Sequence, residues 1–223
     1  LSAGAEELAQ IEHWLQQAAP AADPALLGPR LQAYLDLLAR WNTTYNLTAV
    51  RDRSQMLSQH LADCLAVLPP LQRELARHAT TAPRVLDVGS GGGLPGVVLA
   101  ACLPQVQVTC IDTVAKKAAF IRQAAAELTL PNLQAAHARV EQWQAAPFGV
   151  VTSRAFASLA DFTRLTRHLL APQGVWMAMK GKTPDDEMAT LAADVEVFHV
   201  EQLVVDGLDA QRCLVWMRIK EAH

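Results

Sequence analysis

The sequence predicts an α/β fold, a mostly parallel sheet of seven strands behind an N-terminal helical extension. Three observations carry this. Residues 1–80 place apolar side chains at three- and four-residue spacing, the helical period. From residue 81 onward, short apolar runs alternate with helical stretches. At the junction stands Arg84-Val-Leu-Asp-Val-Gly-Ser-Gly-Gly-Gly-Leu-Pro-Gly96, an apolar run entering a glycine-rich turn and then a helix. Such a run suits a strand buried on both faces, as a parallel sheet demands. The expected division is therefore 1–80, a helical cap, and 81–223, the sheet domain.

In the cap, Leu8, Ile11, Leu15 and Ala18 form one stripe and Leu27, Leu31, Leu35 and Leu38 a second. Asp23-Pro24 marks a helix start, with Asp as cap and Pro at the first position. Trp41-Asn-Thr-Thr-Tyr-Asn-Leu-Thr48 lacks a stripe and reads as a loop with two aromatics. A third helix carries Leu57, Leu61, Cys64, Leu65 and Leu68 on one side and sets His60 and Asp63 at i and i+3, close enough to interact. Thr80-Thr-Ala-Pro83 marks the boundary into the sheet.

The glycine turn admits two registers. Gly91-x-Gly-x-x-Gly96 formally matches a dinucleotide fingerprint but begins two residues beyond the strand end. Asp87-x-Gly89-x-Gly91-x-Gly93 instead resembles the first signature of class I S-adenosylmethionine-dependent methyltransferases. That cofactor carries an ammonium, a sulfonium and a ribose diol but no phosphate, so carboxylates suit its site. Pro95 is preset for the first turn of the following helix, through Cys102.

Strand Gln105–Asp112 follows, ending on Asp112, about 20 residues beyond the turn, where a carboxylate can accept both ribose hydroxyls. An Asp capping the next helix is the structural alternative. That helix should bury Val114, Ala118, Ile121, Ala125 and Leu128, leaving Lys116, Lys117 and Arg122 outward. Pro131–His137 and Phe148–Ser153 are the third and fourth strands, the latter leading into Arg154. A helix from Leu159 to Leu170 should stop at Ala-Pro-Gln-Gly174, before a fifth strand Val175–Gly181 with Lys180 at its carboxyl end. Val195–Val200 and Arg212–Ile219, separated by Asp206-Gly207, complete the count as a hairpin.

Composition limits the function. A hydrophobic content of 51% over 223 residues excludes disorder. No apolar run is long enough to span a bilayer, and the first residues lack a signal peptide's basic start and apolar core, so a cytoplasmic protein without a membrane partner is expected. Cys64, Cys102, Cys110 and Cys213 lie far apart without metal-site spacing, and no metal is expected. Net charge is −3, yet residues 81–182 hold ten Lys/Arg against five Asp/Glu. Such a basic segment suits a polyanion, and equally an ordinary solvated surface.

Trp41-Asn with Tyr45-Asn-Leu-Thr48, His60 with Asp63, Leu86 to Gly96, Thr152-Ser-Arg-Ala155 and Lys180-Gly181 together resemble the RsmG (GidB) family of bacterial 16S ribosomal RNA guanine-N7 methyltransferases, from about residue 30 to the end. The resemblance implies a Rossmann-like class I fold and methyl transfer from S-adenosylmethionine to N7 of a guanine in 16S ribosomal RNA, within the small subunit, by a monomer. It implies that Asp87, Gly89, Ser90, Gly91, Gly93 and Leu94 line the methionine end. Asp112 would hold the ribose, Ala138, Arg139 and Val140 would flank adenine, and Arg154 would border the cofactor. Arg139, Arg154 and Lys180 become the candidates for contacting RNA or the guanine edge. An arginine donor on N7 would block attack there, so O6 or phosphate contact is expected.

Two positions depart from the family pattern. Gly149 replaces an acidic residue, removing a possible polar contact near the site, and Val140 replaces Ala conservatively. A small-molecule methyltransferase, a nicotinamide oxidoreductase and a non-catalytic RNA-binding protein remain as rivals.

Overall fold

The computed structural model describes residues 2–77, 83–205 and 210–221. Helices α1 (Ala3–Ala18) and α2 (Pro24–Tyr45) open the chain. Asp23 caps α2 as expected, its Oδ1 accepting the Ala25 N–H at 3.0 Å. Next come α3 (Arg53–Met56), a π-helical turn Leu57–Ala62, α4 (Asp63–Leu65) and α5 (Leu68–Arg77). Seven strands follow: β1 (Arg84–Val88), β2 (Gln107–Asp112), β3 (Leu133–His137), β4 (Phe148–Arg154), β5 (Leu170–Lys180), β6 (Val195–Leu203) and β7 (Arg212–Ile219). Between them lie α6 (Gly96–Cys102), α7 (Ala115–Glu127), α8 (Leu159–Thr166) and α9 (Asp185–Met188).

The sheet order is β3-β2-β1-β4-β5-β7-β6. The first five strands run parallel and β7 pairs antiparallel with both β5 and β6. This is the Rossmann-like class I methyltransferase plan. Among the described residues no helix is long and apolar enough to cross a membrane.

Strand alternation sorts the core into two clusters. Val85, Val108, Cys110, Val150, Met177, Leu214 and Trp216 pack with α1, α2 and the Leu57–Leu71 stretch. Leu86, Val88, Val151, Trp176, Ala178, Cys213 and Val215 pack with Leu159 and Phe162 of α8 on the other face. The same parity sends Asp87, Arg154 and Arg212 toward the N-terminal helices and Lys180 toward α8.

Several boundaries differ from expectation. Trp41–Thr48 is not a loop throughout: α2 continues through Tyr45 and ends on Asn46 with φ 49°. Trp41 packs edge-on to Phe120 at 5.5 Å. Buried Asn42 donates to the Val50 carbonyl and accepts the Thr48 N–H, so tertiary contacts extend the helix where no stripe marks it. Pro95 is the residue before α6, not its first residue. Val114, expected in the buried stripe, is exposed and precedes α7, while Phe120, missing from that stripe, is fully buried against α2.

The helix after β4 stops at Thr166, and β5 begins already at Leu170. Thr166 donates to the Phe162 carbonyl and accepts the Trp176 indole N–H, which pins the turn early. Ala171 to Gly174 then bulge opposite the single residue Gly149. All four cysteines are free and buried. The Thr80–Ala82 boundary and the Asp206-Gly207 turn lie outside the described residues.

Candidate active site

At the tip of β1 the chain turns through Gly89, Gly91 and Gly93, all in the left-handed region at φ 66°, 56° and 82°. A β-carbon at Gly89 would stand 2.8 Å from the Phe156 ring. Ser90 and Leu94 are buried behind the turn. The loop is fastened from below, where the Tyr34 hydroxyl donates to the Gly92 carbonyl at 2.6 Å.

Asp87 is fully buried under this turn. Its Oδ2 accepts the Gly96 N–H at 2.8 Å, while its Oδ1 has no hydrogen-bond partner among the described residues. Burial pushes its pKa up to about 7, against the opposing pull of the Gly96 N–H and the Arg154 charge.

Asp112 ends β2, its Oδ2 accepting the Gly91 N–H at 3.0 Å and its Oδ1 the Val114 N–H at 2.9 Å. It thus caps the turn into α7, as the structural alternative has it, yet a carboxylate offers about four lone-pair positions and two remain. A cavity of about 230 Å³ opens here, lined by Gly89, Asp112, Val114, Ala138, Val140 and Phe156. Arg139 is not among its lining residues; its side chain is 68% exposed and paired at 3.5 Å with Glu141, which is.

These carboxylates bear on the dinucleotide register. The Gly91 and Gly96 N–H groups, which would have to meet a pyrophosphate, are already taken by Asp112 and Asp87. An anion there would find these two donors occupied by carboxylates, and the unpartnered Oδ1 of Asp87 calls for a donor, not an anion.

A second cavity, of about 570 Å³, lies beyond Ala155, which lines both. His60, Asp63, Arg154, Lys180 and Arg212 line it. The Arg154 NH1 donates to the Gln59 carbonyl at 3.0 Å and to Asp63 Oδ2 at 3.4 Å. Both terminal nitrogens of Arg154 approach His60 Nδ1, at 3.4 and 3.3 Å. The other oxygen of Asp63 accepts the Arg212 Nε–H at 2.9 Å. His60 and Asp63 therefore do not form an isolated i, i+3 pair; the π-helical turn directs both onto Arg154. Burial and the Arg154 charge lower the His60 pKa to about 4.

Lys180 lines this cavity but is engaged, donating to both Glu187 oxygens at 3.0 and 2.8 Å and to the Ala157 carbonyl at 3.3 Å. Glu187 in turn accepts the Leu159 N–H, so the pair ties β5 to the start of α8.

The structure thus gathers Gly89, Asp112, Ala138 and Val140 around the first cavity and Arg154 with Lys180 around the second, while Asp87, Ser90, Gly91, Gly93 and Leu94 belong to the β1 tip and its turn without lining either. Arg139 joins neither lining. Gly149 sits at the far end of β4 from Arg154, so the departure there touches neither cavity. Sequence reading missed Tyr34, Phe156 and Arg212. Only Arg212 left a usable signal: an antiparallel last strand starts where the parallel ones end, which brings its first residue to the ligand side.

A family model described as GidB, rRNA small subunit methyltransferase G, matches residues 28–215. The ribosomal RNA small subunit methyltransferase G of Leptothrix cholodnii is 65% identical over 189 residues, 84% of this chain and 85% of its own. Its counterpart in Acidovorax ebreus is 57% identical over 216 residues, 93% of this chain and 95% of its own. Among solved structures, TrmN from Thermus thermophilus superposes with a TM-score of 0.52 at 21% identity, over 73% of this chain and 53% of that one. That last likeness speaks for the fold alone.

Proposed function

The chain belongs to the GidB family of small-subunit rRNA methyltransferases, and from that premise we propose that it transfers a methyl group from S-adenosylmethionine to N7 of a guanine in 16S ribosomal RNA. The observation that carries the reading is the meeting at Ala155 of a cavity lined by Asp112 and Glu141, with Lys117 beside Asp112, and a cavity lined by Arg154, Arg212 and Lys180 around Asp63. The first suits a cationic cofactor, the second an RNA acceptor.

The cofactor-side residues fit. Asp87 Oδ1 is a buried acceptor in want of a donor, and Gly89 and Phe156, too close for a β-carbon between them, share the cavity wall. Asp87, Gly89, Ser90, Gly91, Gly93 and Leu94 would hold the methionine end, Asp112 the ribose hydroxyls, and the Ala138–Val140 backbone the adenine. When bound, S-adenosylmethionine supplies a methyl group on a sulfonium, an electrophile that needs only a lone pair in line.

N7 of guanine has that lone pair and loses no proton, so no general base is required and positioning does the work. Arg154, set against the base edge at O6 or a phosphate, orients the acceptor. Asp63 shared between Arg154 and Arg212 leaves the cluster net positive, which favours phosphate without stacking two bare guanidinium charges. Lys180, held by Glu187, lines the second cavity beside Arg154, and Arg139, outside both linings, is left as an exposed charge for RNA beyond the site. Residues 1–80 act as a cap that fastens the turn from below and lends His60 and Asp63 to the second cavity, and residues 81–223 carry the rest of the site. We place the reaction in the cytoplasm, on the small subunit, with the enzyme a monomer.

The test is incubation with labelled cofactor and small ribosomal subunits lacking native modification, followed by nucleoside analysis. Labelled 7-methylguanosine is expected. Asp112→Ala should weaken cofactor binding ~10- to 100-fold, since hydrogen bonds to a charged group are worth ~1.5–3 kcal/mol. Arg154→Ala should spare cofactor affinity and lose transfer. Transfer to a small molecule, insensitive to salt, would overturn the RNA acceptor, because RNA contact through Lys/Arg weakens as salt rises.

A further inference from the structure

Around the acceptor cavity one ring has no assigned task. His60 is buried in the π-helical turn between Thr48 and Arg154. Guanidinium nitrogens only donate, and both terminal nitrogens of Arg154 face His60 Nδ1, so that nitrogen must be a bare acceptor. The proton therefore sits on Nε2, 2.7 Å from Thr48 Oγ1, which accepts it. Thr48 is itself fixed: its N–H donates to Asn42 Oδ1 at 2.9 Å, and its Oγ1 also accepts the Val50 N–H at 3.2 Å. A rigid chain runs from the end of α2 through Thr48 and His60 to Arg154.

We infer that His60, in its neutral Nε2–H form and anchored by Thr48, is a positioning residue that sets the Arg154 guanidinium toward the acceptor. The inference rests on Arg154 contacting the acceptor as proposed above. With Gln59 and Asp63 it engages both NH1 hydrogens and one on NH2. The Nε–H and the remaining NH2 hydrogen, unpartnered among the described residues, are left for a ligand. Asp63 alone cannot fix this geometry, because its carboxylate is shared with Arg212 at a shorter distance, 2.9 against 3.4 Å. His60 does not serve as a base: its free nitrogen faces a permanent cation, and the N7 acceptor has no proton to give up. Neutral, it binds Arg154 without cancelling the charge that faces RNA.

The test combines a spectrum with three variants. Nitrogen-15 NMR of the full chain should show His60 with a bare Nδ1 and a protonated Nε2 at neutral pH; the opposite tautomer, or an imidazolium, overturns the proposal. His60→Leu should slow single-turnover transfer to small subunits by about 100-fold, the cost of a group misplaced by about 1 Å. Its cofactor affinity, which also reports folding, should stay within about twofold, because Asp87 and Asp112 are untouched. His60→Asn offers a carboxamide oxygen where Nδ1 stood, and should recover about tenfold of the lost rate. Thr48→Val, the mildest change, removes the acceptor of both the His60 Nε2–H and the Val50 N–H and should slow transfer by about tenfold through the first of these.

Transfer by His60→Leu at the wild-type rate, or Asn performing no better than Leu, overturns the positioning role. A wild-type chain that binds cofactor yet labels no RNA overturns the proposed function instead, while the tautomer still decides whether His60 is the acceptor that holds Arg154.

Discussion

The Tyr34 hydroxyl reaches across 2.6 Å from α2 to the Gly92 carbonyl, joining the N-terminal helices directly to the glycine turn after β1. Tyr34 is fully buried, and its ring meets Phe120 of α7 at 6.4 Å. The helical layer thereby sets the height of the glycine turn.

Tyr34→Phe keeps the ring packing and orphans the Gly92 carbonyl. An unpaired buried carbonyl costs about 1–3 kcal/mol, so melting should fall by several degrees. S-adenosylmethionine affinity should fall by about tenfold as the turn relaxes. Calorimetric binding beside a thermal melt checks both; unchanged affinity would mean the turn holds its shape without the helices.

Asp87 links pH to both stability and binding. Its folded-state pKa, about 7, lies above the ordinary carboxylate value of 3.8. The folded chain therefore holds a proton that the unfolded chain has released. The stability this contributes is complete below about pH 4 and is lost as pH rises through 7. Asp87→Asn should consequently melt higher than wild type at pH 8, with the difference shrinking toward pH 5. A cationic ligand favours the ionised carboxylate, so wild-type affinity for S-adenosylmethionine should drop as pH falls from 8 to 6, and binding at pH 7 should release protons. Affinity of the Asn variant should be weak and flat over that range. Calorimetry in two buffers of different ionisation enthalpy reads the proton release, and its absence would remove Asp87 from the cofactor's cation.

Two glycines should differ in their tolerance of a side chain. A β-carbon at Gly96 would fall inside the Cys110 sulfur and 2.8 Å from Asp87 Oδ2, so Gly96→Ala should cost about 1–3 kcal/mol through overpacking. At Gly149 the nearest neighbour to such a carbon is the Arg84 carbonyl at 3.8 Å, at the strand end away from both cavities. Gly149→Asp should leave cofactor affinity and transfer unchanged, measured by the same calorimetry and label assay.

Much of this architecture was legible in the chain. Strand and helix periods are local, so all seven strands could be placed. Asp87, the glycines and Asp112 could be assigned to strand ends facing the ligand side of the sheet. Element ends were less legible because distant partners decide them. Trp41 extends α2 by packing on Phe120, and Thr166 shortens the helix after β4 by accepting the Trp176 N–H.

The second cavity was barely legible at all. His60 and Asp63 looked like neighbours on one helix, and only the folded chain turns them onto Arg154, 94 and 91 residues away. Arg212 is 149 residues from the carboxylate it holds. Sequence alone determined the sheet and the glycine turn, because backbone period, glycine conformation and strand-end position act within a few residues. Tertiary structure alone decided which cations meet which carboxylate and which nitrogen of His60 carries the proton, because hydrogen bonds act over about 3 Å and only folding brings those groups that close.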